Sequence, residues 1–96
     1  MTPIRWTEAA RTDLRAIHAY IARDSRVYAR RMIDRIRRSG ERLRDIPQSG
    51  ASVPEWDRPN LREIQAGPYR VVYRWDGHSV AILMVIHAAR QLPPEE

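Results

Sequence analysis

The chain has 96 residues, a length that holds one domain, residues 1–96, with one modest core. It has no cysteine, which excludes a disulfide framework and thiol catalysis; no apolar run reaches the roughly 18 residues of a membrane span and no signal-type segment opens it, so a cytoplasmic protein with no membrane partner is expected. All 17 basic residues are arginines against 12 acidic ones, a formal charge of +5, which fits a polyanionic target, an acidic partner protein or simple compositional bias equally well.

Pro3–Trp6 reads as a short first strand with Pro3 tolerated at its start. Thr7 then stands where a helix N-cap would, and Glu8 places negative charge in the first turn. Ala10, Leu14, Ile17 and Ile21 follow at helical spacing, with Ala9, Ala16 and Tyr20 broadening the stripe and Arg11, Arg15 and His18 on another side. Asp24-Ser25 breaks the pattern, and a second helix from Ser25 turns Ala29, Met32, Ile33, Ile36, Gly40 and Leu43 inward. Gly40 costs this helix about 1 kcal/mol relative to alanine, which suggests close approach to the first helix. Arg31, Arg35, Arg38 and Arg42 run along its outside, only partly offset by Asp34 and Glu41, and are the candidates for contact with a target. Pro47 ends the helix.

Gln48–Pro59 reads as a loop whose large apolar anchors, Val53 and Trp56, either pin it to the core or touch a partner. Asn60–Gln65 is a third strand, returned through Ala66-Gly67-Pro68; a two-residue and a three-residue connection place Ile64 on opposite faces, and both stay open. Tyr69–Trp75 and His78–Ile86 are two strands joined across Asp76-Gly77. That turn pairs Tyr73 with Val80, Val71 with Ile82 and Tyr69 with Met84, so that these residues, Trp75 and Ile86 share one apolar face. The other face carries Arg70, Val72, Arg74, Ala81, Leu83 and Val85, with His87 and Arg90 beyond. Pro93-Pro94-Glu95-Glu96 forms no element. The expected fold class is α+β in the order β-α-α-β-β-β, two antiparallel helices covering one face of a small, mostly antiparallel sheet. The other face is left bare in the monomer and is too apolar for water, so a partner segment laid over it is expected.

Little chemistry is spelled out. His18, His78 and His87 lie on different elements without ligand spacing, so no metal and no cofactor is expected, and there is no phosphate loop, nucleophile elbow or carboxylate pair. One constellation remains. Arg62, Arg70, His87 and Arg90 could converge on the bare sheet face, where arginines would neutralise a phosphorane during attack by a ribose 2′-hydroxyl and His87 would move a proton. The alternative is that Arg70 and Arg90 simply pair with acidic residues.

The element order and several stretches resemble the RelE/ParE toxins of bacterial type II toxin–antitoxin modules. They are Trp6-Thr7-Glu8-Ala9-Ala10, Ile46-Pro47-Gln48-Ser49-Gly50, Leu61-Arg62-Glu63-Ile64, Gly67-Pro68-Tyr69-Arg70-Val71-Val72-Tyr73 and Val85-Ile86-His87-Ala88-Ala89-Arg90. The resemblance implies a toxin neutralised by a cognate antitoxin, which usually carries the operator-DNA-binding domain. The RelE-like branch cleaves mRNA on the ribosome; Arg70 and Arg90 match two of its basic positions, but Glu63 stands where it tends to place lysine, and no tyrosine follows Tyr73. The ParE-like branch poisons DNA gyrase without chemistry of its own, and the third strand, the Tyr-Arg-Val-Val-Tyr core and the His-Ala-Ala-Arg ending look more like it. The resemblance thus implies a gyrase inhibitor, with a ribosome-dependent endoribonuclease and a non-toxic antitoxin-binding relative as alternatives.

Overall fold

A computed structural model describes residues 1–92; the segment 93–96, expected to form no element, lies outside the described residues. The chain runs β1 (Ile4–Trp6), α1 (Glu8–Ala22), α2 (Arg26–Glu41), a 3-10 turn (Arg42–Arg44), β2 (Ala51–Ser52), β3 (Leu61–Ala66), β4 (Tyr69–Trp75) and β5 (Val80–His87). The five strands form one sheet in the order β1-β5-β4-β3-β2, with β1 parallel to β5 and every other pair antiparallel. This is the expected α+β fold with one addition. Within the Gln48–Pro59 loop, Ala51 and Ser52 pair with Glu63 and Arg62 as a short edge strand.

The helices start where their caps dictate. The Thr7 hydroxyl accepts the Ala10 N–H (3.2 Å) and donates to the Ile82 carbonyl (2.8 Å), so the cap of α1 is also its anchor on β5. Ser25 caps α2 by accepting the Tyr28 N–H (3.1 Å). Leu14, Met32, Ile33, Ile36 and Leu43 then pack on Tyr69, Val71, Tyr73, Val80, Ile82 and Val85 as the main core. A Cβ on Gly40 would lie 2.5 Å from the Trp6 ring and 2.9 Å from Ile82 Cδ1. The close approach that keeps this position glycine is therefore to β1 and β5, not to the first helix.

The hairpin departs from the expected register. Its connection is four residues, Asp76–Ser79, because Asp76 Oδ1 accepts the N–H groups of both His78 and Ser79 (2.8 Å each) and closes a wider loop than Asp76-Gly77 alone. Trp75 thus faces Val80 and Tyr73 faces Ile82. A β-bulge then shifts the register at Val72/Tyr73, skipping Leu83, so that Val71 faces Val85 and Tyr69 faces His87. The extra residue inverts the rest of β5: Val85 enters the helix-side core, while Met84 and Ile86 turn to the far face. In β3, Ala66 pairs with Tyr69 across Gly67-Pro68 with Gly67 at φ +59°, a two-residue turn that puts Ile64 opposite Val71 on the helix side.

The far face is not bare. Val53, Leu61, Val72 and Leu92 form a second buried cluster, with Trp56, Leu83, Met84 and Ile86 packed against it. The chain's own loop and tail supply the cover that was expected from a partner, and Trp56 is one of the pins.

Candidate functional site

The arginine constellation does not assemble. Directly paired residues of an antiparallel ladder share a face and neighbours alternate. Arg62 faces Tyr73 and His87 faces Tyr69, which puts both on the helix side, whereas Arg70 faces Ile86 on the far side. Arg62 Nη1 donates to the carbonyls of Gly50 (2.9 Å) and Gln48 (3.3 Å). The exposed His87 ring stands edge-on to Tyr69, with centroids 5.5 Å apart. Only Arg90 stays near Arg70, and it does so through its backbone: Arg70 Nη1 donates to the Arg90 carbonyl (3.3 Å).

Arg70 is instead the hub of an ion cluster. Its Nη1 and Nη2 donate to the two carboxylate oxygens of Glu55 (2.7 Å each), and Nε donates to Glu63 Oε1 (2.7 Å). The Arg70 side chain is 12% exposed, so solvent screens this cluster only in part. The hydrogen bonds from Arg70 hold the Glu55 carboxyl down to about 2, against the opposing effect of its burial; the same bonds push the guanidinium further up. Glu55 Oε2 also accepts the Leu92 N–H (3.1 Å). Loop, strand and tail are thereby fastened at one point. Glu63 could be named from the sequence, but Glu55 gave no signal, because a loop position has no periodicity to place it.

The open surface lies on the other side of β5. β1 pairs only with Val80, Ala81 and Ile82, and beyond them no described strand continues along this edge. Between that edge and α1 runs a groove of about 830 Å³. Ala9, Asp13, Ala16, Ile17 and Tyr20 form its helical wall, and Leu83, Met84, Ile86, Tyr69, His87 and Arg90 its sheet wall. Asp13 Oδ2 accepts the Val85 N–H (2.9 Å), occupying an edge donor that a strand would otherwise take. Small residues on α1 keep the groove wide, and Tyr20 at its mouth is 69% exposed.

Measured against the expected partner face, the residues therefore divide. Leu83, His87 and Arg90 line the groove, and so does Val85, which is also part of the main core and 4% exposed. Val72 is buried in the far-face cluster, and Ala81 is 7% exposed. Arg74 is exposed beside Arg5 and Ala81, outside the groove, and Arg70 is committed to its carboxylates. Among the described residues no three histidine or acidic side chains come together as a metal site, and no helix is long and apolar enough to cross a membrane.

Residues 4–92 match the family described as ParE toxin of type II toxin–antitoxin system, parDE. The chain belongs to this family. A ParE-family assignment agrees with the likeness to Toxin RelE2 of Caulobacter vibrioides, which is 33% identical over 91 residues spanning 94% of this chain and 99% of that protein. Two solved structures share the fold. One is a chain of the chromosomal ParDE system from P. aeruginosa, with a TM-score of 0.75 and 24% identity over 91% of this chain and 96% of that one. The other is from the RelBE2 toxin–antitoxin complex of Mycobacterium tuberculosis, with a TM-score of 0.66 and 23% identity over 90% and 96%. This ParE-family chain is thus a toxin of the type II toxin–antitoxin class, with an arginine clamp on one sheet face and an open groove along the outer edge of β5.

Proposed function

We propose that this toxin acts by binding and inhibiting DNA gyrase, and that a cognate antitoxin neutralises it by laying a segment in the groove between α1 and β5. The observation that carries the non-catalytic reading is the Arg70 clamp. A nuclease of the RelE type needs free cations and a proton-transfer pair around the scissile phosphate, but here the central arginine is held by Glu55 and Glu63 and Arg62 is turned to the opposite face. A phosphate would have to displace two carboxylates to reach Arg70. Inhibition by surface contact asks nothing of these groups.

The groove supports the antitoxin reading by its shape and chemistry. An extended segment can add to an unpaired strand edge with main-chain hydrogen bonds while its alternate side chains fill pockets. Beyond Ile82 the β5 edge has no strand partner, its Val85 N–H being held by the Asp13 side chain that an incoming strand would displace, and Leu83, Met84 and Ile86 beside it offer apolar contact. Operator DNA then reaches the complex through the antitoxin.

Purified chain added to gyrase and relaxed plasmid should block supercoiling and accumulate cleaved DNA, while mRNA on translating ribosomes stays intact. Cleavage of that mRNA, lost on Arg90→Ala or His87→Ala in folded protein, would overturn the gyrase reading and restore the endoribonuclease.

A further inference from the structure

The outer surface of the helix pair is the most strongly charged part of the molecule and has no role in the groove or the clamp. α2 carries Arg26, Arg30, Arg31, Arg35, Arg37 and Arg38 against Asp34 and Glu41. Glu41 is already engaged by Arg44 (2.7 Å) and the Trp6 indole, whereas among the described residues none of those six arginines has an ion-pair partner. Along one flank, Arg31, Arg35, Arg38 and Arg42 rise through about 16 Å of helix axis at 1.5 Å per residue. On the other flank Arg37 meets Arg11, Arg15 and His18 of α1 across a cleft of about 290 Å³ floored by Leu14 and Ile33. Of these, Arg11 and Arg15 share the single carboxylate of Glu8.

We propose that this helical face binds the phosphate backbone of double-helical DNA directly, without base recognition. A rigid row of cations at regular spacing matches a ligand whose anions are themselves regular; one DNA strand presents a phosphate about every 3.4 Å of axis, so the row spans about five. An acidic protein surface has no such period, and a protein interface would need apolar anchors along its length, whereas the exposed apolar side chains here, Val27 and Tyr28, stand only at the N-terminal end of the row. Single-stranded nucleic acid is disfavoured for the same reason: stacking of successive bases needs aromatic side chains along the row, and here a single exposed tyrosine, Tyr28, stands at its end. None of the four row arginines lines the groove, and the cleft lies on the flank of α1 away from it, so antitoxin and duplex use different residues. This contact is independent of gyrase and stands or falls without it.

The test is fluorescence anisotropy of a short labelled duplex of arbitrary sequence, titrated with the full chain over a salt series. Four backbone contacts give a slope of log K against log salt of about −3.6, which is about 150-fold between roughly 50 and 200 mM salt. Arg31→Gln with Arg35→Gln should flatten the slope by about 1.8. Arg5→Gln with Arg74→Gln, which removes equal charge from the face away from the helices, should leave it unchanged; circular dichroism confirms that both double variants fold. Equal loss in both variants would reduce the effect to net charge and overturn the proposal. Displacement of the duplex by poly-glutamate at equal charge concentration, or tighter binding of the single strand, would overturn it as well.

Discussion

The Tyr73 phenol sits at the centre of the main core, 0% exposed, and donates to the Pro47 carbonyl (2.8 Å) while accepting the Gly50 N–H (3.0 Å). Burial pushes its pKa up, so it stays a neutral donor over the ordinary pH range. A Cβ on Gly50 would come within 2.5 Å of the hydroxyl, so the loop closes on the tyrosine only as glycine. Tyr73→Phe leaves both backbone groups without this partner and should cost about 1–3 kcal/mol in urea unfolding, with the dependence on denaturant unchanged. The alternation of β4 was enough to place Tyr73 in the core. Its hydrogen bonds were not legible, since Pro47 and Gly50 belong to an irregular segment where sequence spacing fixes no distance.

At the scale of elements, the loop 53–60, strand β4 and the tail to Leu92 are joined by the Glu55–Arg70 contact rather than by one continuous ladder. The folded carboxyl of Glu55 titrates near 2 against an ordinary 4.5. A depressed carboxylate stabilises the fold fully above its unfolded pKa and loses that contribution as pH falls through the folded value. The melting temperature of the wild type should therefore drop between about pH 4.5 and 2 by more than that of Glu55→Gln. At neutral pH the variant should be less stable by roughly 1.5–3 kcal/mol, as expected for loss of charge-assisted hydrogen bonds. Parallel curves for the two proteins would remove Glu55 from the acid response. Helix starts, the inner residues of both helices and the existence of the hairpin were legible because caps and periodicity are local. The outer half of β5 was not, because one bulged residue reverses every side chain after it and nothing within the strand announces it.

At the scale of the molecule, α1 separates two surfaces: Ala9, Asp13 and Ala16 border the groove, and Arg11, Arg15 and His18 border the cationic cleft. Ala16→Arg narrows the groove from an exposed position and should weaken antitoxin binding at least about tenfold, or 1.4 kcal/mol, while gyrase inhibition and thermal stability are kept. Calorimetric titration checks the first and a supercoiling assay the second; unchanged antitoxin affinity would place the antitoxin elsewhere. The arginine row was legible as a helical stripe, whereas the groove needed the strand order, which composition does not encode.

The parallel pairing of β1 with β5 also sets an order in time. Thr7 and Leu83, 76 positions apart, meet where the first strand hands over to α1, so β1 waits for β5. Contacts of such long range are closed late and at high entropic cost. A chain still being synthesised can form its helices, but it has neither a partner for β1 nor a docking edge for α1 until β5 exists. The sheet wall of the groove thus exists only once β5 is in place, and a segment that reads both walls has nothing to read before then.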